Sequence, residues 1–589
     1  MSIQYSDSIL TAVLYSAEDA ERFIKEFPVA DRIFALTPDA RAVVTDARLP
    51  LLTTLDAYSD YGHRRVLACV RRMERKLKGS AHHLEELNMA ARETLHAQLH
   101  MLTAFSSRLW ETLKGTGPWL IPAQRGWKEI GDLHDAHRAL LVHISTQAPT
   151  AGTIVVDRSL WSPIIRILNR ILLKMVRKQQ IVLVTGYLYG LTSLSQELNQ
   201  VYSHLSTIAV SGSFGRFREV VKGLLSIFRT ITGQTKRKYF TAVPTYSENK
   251  TEAVEKYLSS ITDPVIRNAV DLLKHTLIQD VVLTDGLNKE IDLLVKSIQP
   301  KAVWAHALRW GSDAMLGEVS LKYKIPCTLI SHGSHPEPEN ITSAFEYREL
   351  AQGLLISPLA GNSLLQSPHA EQAIHSFEES LHFSRSYPIM WGYRQVPSVP
   401  KDDSIRTILH AGTYKRWERT RPWIYETSDE FVEGLRTLIQ AVQHLEKTKL
   451  IIRVRPMPEC QVKSLTQLLP QSKCYELKTS GEFLKDLARA DLLISYASTT
   501  TEEALYARRP VLLWGGSTRH LHLPASRVNP TENSRKAVYA PETKEKLLSM
   551  LNAILECHAG KPLTDNELKG HIWLNNVPGK EEFLQQLAG

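Results

Sequence analysis

Residues 482–514 read E-F-L-K-D-L-A-R-A-D-L-L-I-S-Y-A-S-T-T-T-E-E-A-L-Y-A-R-R-P-V-L-L-W, and their pattern decides the fold class. Residues 481–489 have helical spacing, 491–495 form a short apolar run, 501–507 return to helical spacing, and 511–514 are apolar again. Runs of four or five apolar residues without alternation suit strands buried on both faces, the signature of a parallel sheet. The same alternation continues outward. Upstream come a strand at 406–409, a helix at 429–445, a strand at 449–454 and a helix at 461–468; a helix at 543–557 closes the run. Further upstream lie a strand at 302–305, a helix at 312–323, a strand at 327–330, a helix at 343–351 and a short strand at 353–357. Strands alternating with helices at this spacing predict doubly wound parallel sheets.

The two alternating runs are separated by Q-V-P-S-V-P-K-D-D-S at 395–404, polar and punctuated by proline, which marks a domain boundary. The expected organisation is an α/β chain of two Rossmann-like domains. Residues 1–395 form the first, with helical insertions at about 61–115 and 196–275; 396–404 form a linker; 405–589 form the second. The first 60 residues read strand–helix–strand, and two apolar runs, 153–156 and 181–185, flank a basic helix.

Composition bounds the function classes. The chain has 589 residues, 43% hydrophobic and 23% charged, which excludes a disordered, collagen-like or disulfide-stapled protein. Its five cysteines include no C-x-x-C pair, so neither a zinc site nor a redox dithiol is expected, and the usage fits a reducing compartment. The N-terminus lacks a signal-peptide pattern, and no apolar run reaches the ~18–20 residues that span a bilayer. The expectation is a soluble, cytoplasmic protein.

The net charge of +9 is partly clustered. Residues 161–180 hold five basic residues and no acid, with Ile164, Leu168, Ile171, Leu172 and Met175 at helical spacing. Residues 214–240 hold seven basic residues against Glu219 alone. Basic amphipathic segments suit an anionic membrane surface at the inner face. The plainer alternative is a helix packing its apolar stripe on the core. No nucleic-acid motif accompanies the charge, so no nucleic-acid partner is expected.

Ligands of doubly wound sheets bind beyond the carboxyl ends of the strands, so the chemistry is sought in those loops. After 302–305 come His306, Arg309 and Asp313; after 327–330 comes S-H-G-S-H-P-E-P with His332, His335 and Glu337. After 406–409 comes H-A-G-T-Y-K with Gly412, Thr413 and Lys415; at the end of 449–454 stand Arg453 and Arg455. After 491–495 come Ser498, Thr499, Thr500 and Glu503. Singly each has an ordinary explanation: a histidine that hydrogen-bonds, a hydroxyl that caps a helix, a carboxylate that complements a helix dipole. Together they offer hydroxyls, arginines and helix N-termini to a phosphate-bearing ligand.

With I-P-C-T-L-I-S-H-G at 325–333 and I-L-H-A-G-T-Y-K at 408–415, the 482–514 stretch resembles GT-B glycosyltransferases over roughly residues 290–560. Within them it resembles bacterial surface-polysaccharide enzymes: the capsule and lipopolysaccharide Kdo-transferase-like group and the CDP-glycerol polymerases. The resemblance implies transfer of a sugar from a nucleotide sugar to a glycan or lipid-linked acceptor, with the two domains in GT-B arrangement. It implies that Glu503 holds the nucleotide ribose, that Ser498, Thr499 and Thr500 face the donor phosphates, and that Gly412 and Thr413 form a close-approach loop. Arg453, Arg455 and Lys415 are then expected to neutralise the leaving phosphate. His332 is the implied catalytic base, with Asp313 and Glu337 behind it. The related group often has Arg-x-His-Pro where this chain has Arg453-Val-Arg455-Pro456, which keeps the charge and removes a proton donor. No Asp-x-Asp occurs, so no metal or cofactor is expected. A UDP-sugar 2-epimerase-like enzyme, given Thr501-Glu502-Glu503-Ala504, and a non-catalytic GT-B scaffold of polysaccharide assembly are the alternatives.

Overall fold

The computed structural model describes residues 9–26, 31–58, 60–124, 126–147, 161–177, 179–185, 205–212, 217–233, 238–331, 340–377, 385–388, 396–399, 404–412, 421–455 and 460–574. Three sheets organise them.

The first sheet is built from β1 (Thr11–Leu14), β2 (Arg32–Ala35), β3 (Leu51–Leu52), β4 (Trp119–Pro122) and β5 (Trp127–Ile130), in the order β3-β2-β1-β4-β5. All neighbours are parallel except the β4–β5 hairpin. Four-residue runs such as TAVL are fully buried, as both-face burial demands. The Pro38–Asp46 helix begins where Thr37 accepts a hydrogen bond from the Ala40 N–H at 3.2 Å, with proline in its first turn. Between β3 and β4 the chain forms two long helices, Asp60–Gly79 and Met89–Leu113. The second buries 17 of its 25 residues, packing Leu95, Leu99, Leu102 and Leu109 with Ile266, Val270, Leu277 and Val281 of the Pro264–Gly286 helix.

The second sheet joins β6 (Gln180–Thr185), β7 (Leu205–Gly212), β8 (Lys238–Ala242), β9 (Ala302–Ala305), β10 (Cys327–Ile330), β11 (Asn362–Leu365) and β12 (Arg385–Pro388). Its order is β12-β11-β10-β9-β6-β7-β8, parallel throughout. The third joins β13 (Arg406–Gly412), β14 (Thr448–Val454), β15 (Tyr475–Lys478), β16 (Leu492–Ser495), β17 (Val511–Leu513) and β18 (Val538–Tyr539). Its order is β15-β14-β13-β16-β17-β18, again parallel throughout. These are the two Rossmann-like halves expected from the sequence.

Three expectations are corrected. Residues 1–130 do not simply extend the first half, since they build a sheet of their own. The stretch 196–275 is helical over most of its described residues but is not a purely helical insertion: L-S-T-I-A-V-S-G becomes β7 and K-Y-F-T-A becomes β8, on either side of the Phe217–Ile231 helix. Residues 353–357 form a turn instead of a strand, and the sheet continues at β11. Gly353 there has φ +74° and its carbonyl accepts from the Leu308 N–H at 2.7 Å; an added Cβ would lie 2.6 Å from Arg309 Cβ. Only glycine suits that conformation at that distance. The 153–156 run and much of the 395–404 linker lie outside the described residues.

The three units are tied together by buried polar contacts. Asp429 accepts from Arg41 at 2.9 Å and from the Thr54 N–H at 2.6 Å, fixing the first unit to the third. Glu346 in the Ile341–Ala351 helix, fully buried, accepts the Trp423 and Ile424 N–H groups at 2.8 and 2.9 Å. Glu349 pairs with both Arg309 and Arg421, the latter at 2.7 Å.

Candidate functional site

In each Rossmann-like sheet the strand order reverses once, and there the outgoing loops part and open a crevice. In the third sheet the reversal lies between β13 and β16. Ser495 pins the pair by donating its hydroxyl to the Ala411 carbonyl at 2.8 Å. On one side of the crevice stands Gly412, opposite Val454 in register. An added Cβ would lie 2.7 Å from the His410 ring and 3.3 Å from Phe431, so the backbone here stays bare. His410 is itself buried, and burial pushes it down to about 4, so at neutral pH it carries no charge. Thr413 and Lys415 lie outside the described residues.

On the other side, the chain leaving β16 makes a tight hydroxyl turn. The Ser498 carbonyl accepts from the Thr501 N–H at 3.1 Å and its hydroxyl at 2.8 Å, while the Ser498 hydroxyl accepts from the Thr500 N–H at 3.3 Å. Thr499 is the N-cap residue of the Thr500–Tyr506 helix without a side-chain capping bond. The Thr500 hydroxyl is buried with no hydrogen-bond partner among the described residues. Of the adjacent acids, Glu502 is buried at 1% exposure, whereas Glu503 is half-buried. Glu503 is therefore the more accessible of the two.

Arg453 and Arg455 divide in the same way. Arg453 donates to the Asp486 carboxylate and to the Gly481 carbonyl, the latter at 2.8 Å, and Asp486 also accepts from Lys478 at 3.0 Å. Its charge is engaged within the domain, holding the Phe483–Arg489 helix to β14. Arg455 is exposed just beyond β14.

One loop escaped the sequence reading. W-G-G-S-T-R-H, residues 514–520, leaves the carboxyl end of β17, the strand next to β16. Gly516 donates its N–H to Glu426 at 2.7 Å, and a Cβ on it would strike the Glu430 carbonyl. Tyr496, Trp514, Gly515, Ser517, Thr518 and His520 line a small open recess. Arg519 forks onto Glu430, with 2.8 Å from Nη2 to Oε2, and reaches Asp60 at 3.2 Å. Burial raises the Glu430 carboxyl, but its hydrogen bonds with Arg519 outweigh this and hold it below the usual range. His520, buried and pushed down to about 3, is 2.8 Å from the Tyr347 hydroxyl, so the recess adjoins the second half of the molecule. A Gly-Gly followed by hydroxyl residues at a strand end was the available signal.

In the second sheet the order reverses between β6 and β9, where Thr185 accepts the His306 N–H at 3.2 Å. Asp313 stands in the first turn of the Gly311–Lys322 helix, 3.4 Å from the Ser312 hydroxyl. Arg309 turns inward to Glu349 and does not enter the loop surface. Ser331, directly after β10, is buried; His332, His335 and Glu337, which follow it, lie outside the described residues. The structure thus places Gly412 and the segment holding Ser498, Thr499, Thr500 and Glu503 at the carboxyl ends of two adjacent strands, and Asp313 in the second sheet's half.

No family model matches the chain, and no curated protein sequence matches it. Among solved structures, UDP-GlcNAc 2-epimerase from Neisseria meningitidis bound to UDP-GlcNAc is 10% identical, with a TM-score of 0.39, covering 69% of this chain and 99% of that one. A UDP-glucosyltransferase from Polygonum tinctorium is 10% identical with a TM-score of 0.38, covering 70% and 98%. MurG from Acinetobacter baumannii is 12% identical with a TM-score of 0.34, covering 69% and 99%. At such scores the likeness carries no activity over to this chain.

Proposed function

We propose that this protein is a metal-independent glycosyltransferase of GT-B arrangement that moves a sugar from a nucleotide sugar to a glycan or lipid-linked acceptor in bacterial surface-polysaccharide synthesis. The observation that carries the reading is the β13/β16 reversal of the third sheet, with Gly412 on one side and the Ser498–Thr500 turn and Glu503 on the other. A bare backbone admits a phosphate closely, hydroxyls and N–H groups stabilise its charge, and a carboxylate within the next helix can hold a ribose diol. Arg455, at the neighbouring strand end, supplies charge to the leaving phosphate. The acceptor is assigned to the second half, with His332 as base and Asp313 or Glu337 in support; a base must come within hydrogen-bond reach of the acceptor hydroxyl.

The test is thermal-shift titration with CMP, CDP, UDP, GDP and their sugar conjugates, followed by mass spectrometry of nucleotide release with added glycan acceptor. Stabilisation by one nucleotide class, lost in Glu503→Ala with folding retained, is the expected result. Sugar interconversion without acceptor would assign the molecule to epimerisation instead. Failure of every nucleotide to stabilise it would leave the scaffold alternative standing.

A further inference from the structure

Two helices of the second unit expose an apolar surface that the core does not use. The Trp161–Val176 helix buries Ile165, Leu168, Leu172, Leu173 and Val176. Yet Ile164, Ile167 and Ile171, at helical spacing on another stripe, are 38%, 55% and 41% exposed. The Phe217–Ile231 helix buries Val220 and Ser226 and leaves Phe217, Leu224, Phe228 and Ile231 more than half exposed. The two helices lie directly against each other. Gly223 lets them approach, since a Cβ there would sit 3.0 Å from Leu168, and the Trp161 and Phe217 rings meet edge-on with centroids 5.3 Å apart. The two exposed stripes therefore join at that aromatic pair into one patch, and contiguous apolar patches of this kind mark interaction surfaces.

The charge beside the patch has one sign. Arg170, Lys174 and Arg177 are exposed on the stripe next to the isoleucines. Arg218, Lys222 and Arg229 stand on the stripe next to Phe217, Leu224 and Phe228. Neither helix carries an exposed acid: the first has no Asp or Glu, and Glu219 of the second is buried. Nearby, Arg166 is paired with Glu290 at 3.2 Å, and Lys222 and Arg229 lie over the Tyr239 ring.

We infer that this two-helix face docks on an anionic phospholipid bilayer, lying in the plane of the interface with its isoleucines and phenylalanines in the acyl boundary and its arginines and lysines at the phosphates. The chemistry fits that occupant: an apolar ridge partitions shallowly into lipid while flanking cations gain from anionic headgroups. A second copy of the chain fits worse, because a two-fold contact sets each cationic stripe against its like. Among the described residues no helix is long and apolar enough to cross a membrane, so the contact is peripheral. The inference uses no nucleotide and stands apart from the transfer reaction.

The experiment is co-sedimentation of the full chain with vesicles of phosphatidylcholine, alone and with phosphatidylglycerol added, at low and high salt. Binding is expected only with phosphatidylglycerol and is expected to weaken with salt. The double substitutions Ile167→Ser/Phe228→Ser and Arg170→Glu/Lys174→Glu, all at exposed positions, are each expected to lower the partition coefficient by about tenfold or more while leaving the melting temperature unchanged. Equal binding to phosphatidylcholine alone, no binding, or binding that survives both double substitutions overturns the inference. So does a dimer, seen by light scattering without vesicles, that Ile167→Ser/Phe228→Ser dissolves.

Discussion

The Arg453 guanidinium reaches the Asp486 carboxylate 33 residues away and the Gly481 carbonyl 28 residues away. Its removal leaves Asp486, almost fully buried, with Lys478 as its remaining cation. Arg453→Ala is expected to cost about 1–3 kcal/mol in urea unfolding and to leave nucleotide-induced stabilisation intact. Arg455→Ala is expected to do the reverse: no loss of stability, but a weaker nucleotide shift. The opposite pattern in the two variants would return Arg453 to the ligand. Which arginine was which could not be read in advance, because Asp486 is distant in sequence and nothing local announces the pair. The same holds for Glu502 and Glu503, adjacent residues that differ in burial only by which face of a short helix the core covers. The positions of Gly412 and Ser498–Thr500 were legible, since strand ends and turn residues are local properties.

At the scale of elements, apolar runs of four or more that are buried on both faces were legible as strands, as in β9, β10 and β16. Strands at sheet edges were not. β15 reads Y-E-L-K and is only partly buried along its length, and β18 contributes two residues, so neither writes a hydrophobic run. β7 and β8 were hidden for another reason: a short apolar run flanked by helices has no periodicity of its own. The 514–520 loop is the element whose fit is most exacting. Gly516→Ala places a methyl group on the Glu430 carbonyl and is expected to destabilise the fold by about 2–4 kcal/mol. Gly131→Ala, with open space around it and no left-handed backbone, serves as the control. Equal melting temperatures for the two variants would show that the loop yields freely and that the close packing is unimportant.

The whole molecule carries several histidines inside it. Burial pushes His137, His410, His558 and His571 down to about 4, and His520 to about 3. Folded, they resist protonation; unfolded, they accept a proton near 6.5. Their contribution is therefore complete above pH 6.5 and is lost as pH falls toward 4, because the unfolded chain then binds more protons. At pH 5 each such histidine costs the folded state about 2 kcal/mol. The melting temperature is expected to hold from pH 8 to 7 and to fall steeply between pH 6.5 and 4.5, measured by scanning fluorimetry in matched ionic strength. A flat profile down to pH 5 would mean these rings are hydrated in solution.

The Met89–Leu113 helix has a consequence in time. Its main partner, the Pro264–Gly286 helix, lies about 150 residues further along the chain. At about 5–20 residues per second of synthesis, the ribosome takes roughly 8–30 s to deliver that partner. Throughout that interval the part of the helix surface that packs on Ile266, Val270, Leu277 and Val281 lacks that cover. The nascent chain is thus expected to expose that one helix face during a definable window of translation, and slowing elongation between codons 114 and 264 is expected to lengthen the exposure.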